Sequence, residues 1–272
     1  MSYRVAHWLA MHKVPVIPGL LHAAGLILCP VFDTPRSVQE TVGRWGIPLL
    51  VVIRPLSDGK FDYAGADNEA GTQIATEHLI AQGHKRIAFL GRAGAGPVYE
   101  RRLAGYTRAM KKHKLRIEPE WLINVPPTRA GGRDGIRQVL ELRDAPKAAV
   151  CYNDIIAFGA LSALGERGMT AGRDFALVGF DGVAATEHSN PPLSTIDVEP
   201  GRLGEAAAEV MLKRIRNPAG APVRHLATPR LVVRQSSVRQ QLRRKDAKAQ
   251  RKPNAQSKPD EKIPSPSRRG QG

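Results

Sequence analysis

The chain has 272 residues, 42% apolar and only 5% aromatic, with a formal net charge of +16. That is enough for one large two-lobed domain or two small ones, with a core built mainly from Ala, Val, Leu and Ile. No apolar run approaches the ~20 residues that a membrane span needs, which argues against a membrane partner. The opening Met1-Ser2-Tyr3-Arg4-Val5-Ala6-His7-Trp8 lacks the apolar stretch and small-residue site of a signal peptide, so the expected location is cytoplasmic. Cys29 and Cys151 each sit in an apolar run, and both are expected to be reduced and buried. No C-x-x-C pair or H-E-x-x-H segment is present, so neither a metal site nor a cofactor is expected.

In chain order, Ser2 is placed to cap a short helix carrying Val5, Trp8, Leu9 and His12 at helical spacing. Gly25–Cys29 reads as a short buried strand, Asp33-Thr34-Pro35 as a helix start, and Pro48–Ile53 as a second buried strand. Asp67-Asn68-Glu69 opens a helix that runs through Gln82 and stops at Gly83. Arg86–Gly91 is a strand. The glycine-rich Gly91–Gly96 fits neither the dinucleotide fingerprint nor the phosphate loop, and reads as a loop. A helix covers Pro97–His113. Leu122–Val125 is a strand and Ala130–Leu142 a helix. Ala148–Tyr152 is a strand and Asp154–Arg167 a helix. Phe175–Phe180 is a strand, Arg202–Arg216 a helix, and Pro229–Arg234 closes the body.

Continuous apolar strands imply burial on both faces, and strands separated by helices imply right-handed crossovers and parallel sheets. The fold class is therefore α/β, doubly wound. The strands are too many for one small sheet, which points to two lobes. Residues 239–272 hold 11 Lys/Arg against 3 Asp/Glu, half of the chain's excess charge, with Leu242 and Ile263 as their only large aliphatics. This basic tail is expected to be disordered. Two readings of it stay open: weak nonspecific contact with nucleic acid through counterion release, or a solubilising tail without a partner.

Six segments in order carry a family resemblance. Asp67-Asn68-Glu69-Ala70-Gly71 is followed by the run from His78 to Gly91 that contains Gly83-His84-Lys85-Arg86-Ile87. Then come Arg102-Leu103-Ala104-Gly105-Tyr106, Cys151-Tyr152-Asn153-Asp154 with Ala157-Phe158-Gly159, and Val178-Gly179-Phe180-Asp181-Gly182. Pro191-Pro192-Leu193-Ser194-Thr195-Ile196 and Arg234-Gln235-Ser236-Ser237 complete the set. Together they resemble the LacI/GalR transcriptional regulators. The resemblance implies a periplasmic-binding-protein-like fold of type I: two Rossmann-like lobes joined by three crossovers, with a small effector in the cleft. The implied division is 1–66 with 197–228 as an N-terminal lobe, 67–196 with 229–238 as a C-terminal lobe, and 239–272 as the tail.

Open α/β sheets bind ligands beyond the carboxyl ends of their strands, and three polar residues fall there. Family register selects Arg102 rather than Arg101 as a bidentate donor to vicinal hydroxyls or a carboxylate. Asn153 offers both donor and acceptor to a hydroxyl-bearing ligand; its competing role is a helix cap, which Asp154 could fill instead. Asp181 would accept two hydroxyls; its competing role is a turn aspartate bonded to its own backbone. Two departures from the family bear on the ligand. Ile53-Arg54 stands where many relatives carry Asp-Arg, and the loop Asn124–Arg129 has no stacking aromatic.

The resemblance also implies a helix-turn-helix headpiece, a hinge helix and a first strand, none of which is legible before Ser2. The first lobe is therefore expected to be incomplete, with exposed edges and apolar surface. The expected function is the effector-binding module of a transcriptional regulator. Its partners are a sugar-like small molecule and, through a headpiece absent from this chain, DNA; symmetric dimers are usual for such regulators. The alternatives are a solute-binding protein of a transporter or a truncated, non-functional regulator. No G-x-S-x-G elbow, paired-carboxylate motif or cofactor fingerprint supports an enzyme.

Overall fold

The computed structural model describes residues 24–30, 41, 44–56, 60–94 and 96–238. The expected helices at the N-terminus and at Asp33, and the basic tail, lie outside them. Among the described residues there are two sheets. The first has strand order β1-β2-β3-β9, with β1 Leu26–Leu28, β2 Leu49–Val52, β3 Asp62–Ala66 and β9 Arg224–Ala227, all parallel. The second has order β10-β8-β7-β6-β4-β5. Its parallel strands are β4 Ala88–Gly91, β5 Leu122–Asn124, β6 Ala148–Cys151, β7 Ala176–Asp181 and β8 Ser194–Asp197. β10 Arg230–Val232 closes the edge antiparallel to β8.

The larger lobe surrounds the second sheet with α1 Asn68–Ala81, α2 Pro97–Lys112, α3 Arg129–Glu141 and α4 Asp154–Glu166. Local signals set these helices. The Asp67 side chain accepts from Ala70 N–H, Thr128 from Gly131 N–H and Asn153 from Ile156 N–H, and Pro97 opens α2. Strands β4 and β6 are buried along their whole length, as continuous apolar runs require. Phe89, Tyr106, Ile136, Ile156, Phe175 and Phe180 fill the core. Helices α3 and α4 pack through glycine: a Cβ on Gly132 would collide with the Ile156 carbonyl, and one on Gly159 with the Arg129 carbonyl.

The smaller lobe packs α5 Pro200–Arg216 on the first sheet. Leu50, Ala64, Leu203, Ala207, Val210 and Met211 form one face of its core; Leu49, Val51, Leu56 and Tyr63 form the other. Among the described residues β1 is an edge strand of this sheet, paired with β2 on one side and with no described strand on the other, in keeping with the expected open edge. β1 pairs with β2 in parallel, Leu26 opposite Leu49 and Leu28 opposite Val51. Apolar surface does remain: Ile27 is 49% exposed and Trp45 50%. Cys29 is also exposed rather than buried, because it lies just past the end of paired β1; Cys151 is buried, and both thiols are free.

The chain passes between the lobes three times, from β3 into α1, from β8 into α5, and from β9 into β10. The closing Arg234-Gln235-Ser236-Ser237 fastens the larger lobe. Ser236 Oγ donates to Leu177 O, Arg234 Nη1 donates to Leu193 O, and the Ser237 hydroxyl bonds Ser194 Oγ.

One ion pair holds the smaller lobe together. Arg214 on α5 meets Asp62 on β3 through two hydrogen bonds, Nε to Oδ2 at 2.7 Å and Nη2 to Oδ1 at 2.8 Å. Val223 N–H also donates to Asp62, and Arg214 donates to the carbonyls of Pro218, Gly220 and Ala221. Burial works to raise the Asp62 carboxyl, but the bonds from Arg214 and Val223 with the Arg214 charge outweigh it and leave it below the ordinary range. Removing one partner of a buried pair strands the other charge. Arg214→Ala is therefore expected to lower stability by about 3 kcal/mol, seen as a lower urea midpoint; an unchanged midpoint would contradict this role.

Candidate functional site

The strand order of the larger lobe reverses between β4 and β6: β5 lies beyond β4 on one side, β7 and β8 beyond β6 on the other. Ligands of open α/β sheets bind at such a switch point, outside the carboxyl ends of the strands. The segment after β4 leads to α2 and Arg102, the segment after β6 is Tyr152-Asn153, and β7 ends on Asp181.

Arg102 and Asp181 are brought together. Arg102 Nη2 donates to Asp181 Oδ1 at 3.0 Å, Nε donates to Asn68 Oδ1 at 2.8 Å, and Nη1 donates to the Tyr152 carbonyl. The guanidinium carbon lies 3.6 Å from the Phe180 ring centroid and 4.7 Å from that of Tyr152. Arg102 is only 6% exposed, so family register selected a buried arginine, whereas Arg101 beside it is exposed. In this structure three of its five N–H groups donate to Asn68, Tyr152 and Asp181, which fixes the guanidinium in place.

The Asp181 side chain keeps 38% of its surface open. Its φ of 116° is a conformation that side-chain-bearing residues rarely adopt, and such outliers gather at functional positions. Burial pushes its carboxyl above the ordinary value, against the pull of Arg102 and, more weakly, Arg54. Asn153 stands at the neighbouring strand end, half-buried, with its Oδ1 accepting from Ile156 N–H at 2.9 Å. It thus performs the capping role that the sequence left open to Asp154.

Asp154 does something else. It is fully buried, its Oδ1 accepts from Thr195 Oγ at 2.6 Å and its Oδ2 from Val183 N–H at 3.0 Å. Burial pushes its carboxyl up to about 7, and these bonds only partly oppose that.

Sequence reasoning missed Asn68, Tyr152, Phe180 and Arg54. The first three lie inside quoted motifs, but a motif does not say which atoms meet. Arg54 comes from the smaller lobe. Ile53, just after β2, lies in the left-handed region at φ 66°, its N–H held by Ala64 O and its carbonyl by Tyr63 Oη. The next residue, Arg54, donates to Pro30 O at 3.0 Å, hydrogen-bonds Tyr152 and lends its charge to Asp181. The carboxyl ends of the two sheets therefore face each other across this cluster.

A separate hollow of about 790 Å³ opens at the other end of β4, β6 and β7, lined by Lys85, Arg86, Lys147, Arg173 and Phe175 among others. Helices α1, α3 and α4 finish at that end, and cations there complement the helix C-termini. Among the described residues no group of three or more His, Cys, Asp or Glu side chains could hold a metal ion, and no helix is long and apolar enough to cross a membrane.

Comparison with known proteins agrees with this geometry. Residues 76–237 match the family model of the periplasmic binding protein-like domain. The chain is 30% identical over 191 residues to the HTH-type transcriptional repressor PurR of Actinobacillus pleuropneumoniae serotype 3 (strain JL03), covering 70% of this chain and 56% of that one. It thus spans little more than half the length of that relative. Among solved structures, the transcriptional regulator CelR–cellobiose complex superposes with a TM-score of 0.75 at 26% identity, covering 86% of this chain and 69% of the other. A LacI family transcriptional regulator from Enterococcus faecalis V583 with bound ribose does so with a TM-score of 0.72 at 25% identity, covering 81% and 80%. The chain belongs to the periplasmic binding protein-like family and is an effector-binding domain of the LacI/GalR type.

The raised Asp154 carboxyl makes stability depend on pH. Between about pH 4 and about pH 7 the folded chain holds a proton that the unfolded chain has released. Stability from this group is therefore full below pH 4, falls as pH rises, and levels off above pH 7, by at most about 1.4 kcal/mol per unit. Asp154→Asn is expected to flatten that slope between pH 5 and 7.5 in urea titrations. Parallel slopes in the two proteins would contradict the assignment.

Proposed function

We propose that this chain is the effector-binding module of a LacI/GalR-type transcriptional regulator, taking a small, sugar-like molecule between its lobes. The observation that carries the reading is the Arg102–Asp181 pair at the sheet switch point, faced by Arg54 from the other lobe. Asp181 would accept ligand hydroxyls with its open oxygen. The Asn153 amide would donate, and Arg102 would fix the direction of the carboxylate rather than grip the ligand alone. Ribose and cellobiose, bound by the two structural neighbours, support a polyhydroxyl class. Ile53 and the aromatic-free loop Asn124–Arg129 leave the particular sugar to experiment.

On this reading the lobes are 1–66 with 197–228 and 67–196 with 229–238, and closure of one on the other shifts the affinity for DNA of the regulator to which the module belongs. The shift can be no larger than the effector's difference in affinity for the two states. Such a regulator works beside DNA in the cytoplasm, and no chemical step is assigned to it. The relatives' character as transcriptional repressors supports this over a transporter's solute-binding protein.

The test is a thermal-shift and calorimetric panel of pentoses, hexoses and disaccharides, ribose and cellobiose included. At least one is expected to stabilise the chain by about 3 kcal/mol at a hundredfold excess over its Kd, and to lose at least tenfold in affinity in Asp181→Asn. Asn153→Asp separates the two roles of that residue: the cap and the stability should survive while the lost amide donor weakens binding. Absence of any binder, or equal binding in both variants, would refute the reading.

A further inference from the structure

Asp154 is the one buried carboxyl of the larger lobe that the effector reading leaves without a task. Its surroundings connect two places that the reading needs. On one side, its Oδ2 accepts from Val183 N–H and its carboxyl also bonds the Gly182 backbone, so it holds the turn that leaves Asp181. On the other, its Oδ1 accepts from Thr195 Oγ, and that hydroxyl also accepts from Gly182 N–H at 3.3 Å. Thr195 belongs to β8, which two residues later reaches Asp197 and the crossover into α5 of the smaller lobe. There Asp197 Oδ1 accepts from Glu199 N–H at 2.8 Å, and Glu199 carries a positive φ of 46°.

Space for this arrangement is built in. A Cβ on Gly179 would collide with Asp154 Oδ1, and one on Gly182 would stand 2.7 Å from Asp197 Oδ1. The chain is thus shaped around Asp154 at β7 and around Asp197 at the turn. Asp181 stands at a positive φ that a side-chain-bearing residue rarely adopts and that neighbours must impose, whereas Gly182 after it takes its positive φ readily. The polar groups bonded to the Asp154 carboxyl are Thr195, Gly182 and Val183; the charged or titratable groups acting on it or feeling it are Asp181 and the Cys151 thiol.

We propose that Asp154 is a positioning residue: it clamps the turn after Asp181 to strand β8, and so ties the direction of the Asp181 carboxylate to the second interlobe crossover. An effector that pulls on Asp181 would then strain the same clamp that sets the exit of β8 towards the smaller lobe. The inference builds on the reading of Asp181 as a ligand residue. Its test reads the clamp without any effector, so the two can fail separately.

The experiment is amide hydrogen exchange on the whole chain, followed by NMR. In Asp154→Ala, exchange at Gly182, Val183 and Glu199 is expected to rise at least thirtyfold, while amides of β4 and α2 stay within threefold of the parent. Asp154→Asn keeps two polar atoms in place and should return Val183 to within threefold. Should Asp154→Ala fail to fold, Thr195→Val removes the hydroxyl alone and should loosen Gly182 and Glu199 at least tenfold. Unchanged exchange at Gly182 and Val183 would overturn the clamp, and so would a rise shared equally by β4 and α2. Loosening of the turn with Glu199 unmoved would overturn its link to the crossover.

Discussion

A buried guanidinium organises this structure. Arg102 is nearly closed from water, and a cation in that setting is tolerable only when its charge and its donors are met. Asn68 supplies an amide oxygen from the start of α1, Tyr152 a carbonyl from the end of β6, and Asp181 a carboxylate from the end of β7. The rings of Phe180 and Tyr152 cover its faces. Four segments far apart in sequence are held by one side chain, and the carboxylate that completes the set is the one still open to solvent.

From that seat the rest of the site follows by chain geometry. Helix α1 starts where the first crossover leaves β3, so Asn68 marks the border of the lobes. Asp181 is register-paired with Asp197 on β8, the strand that feeds the second crossover. Arg54 arrives from the opposite sheet end. The Arg102 cluster therefore stands where the lobes meet, with two of the three connections bonded directly into it or one strand away. A ligand held there touches the groups that decide how one lobe sits on the other.

Much of the fold was legible in the sequence because its strongest elements announce themselves. The apolar runs of β4, β6 and β7 and the caps of α1 and α4 need no tertiary help. β3 was missed because Asp62-Tyr63-Ala64-Gly65-Ala66 has no apolar run; it is a strand because its backbone pairs with β2 on one side and β9 on the other. β9 was missed for the opposite reason, since its alternate residues are exposed on an edge. Of the site, Arg102, Asn153 and Asp181 could be named, but their division of labour could not. That Arg102 donates to Asn68, Tyr152 and Asp181, and that Asp154 is buried and bonded to Thr195, depend on contacts across 34 to 79 residues of chain, which spacing does not encode. The Asn153 cap on Ile156 N–H is local, and only the choice between Asn153 and Asp154 stayed open.

The most direct measurement is a double-mutant cycle in urea between Arg102→Ala and Asp181→Ala. If the two side chains form one coupled seat, the double variant should be less destabilised than the sum of the singles, with a coupling of about 1–2 kcal/mol. Additivity to within about 0.3 kcal/mol would mean that Asp181 is an ordinary turn aspartate beside an independently satisfied arginine, and the account of the site would fail.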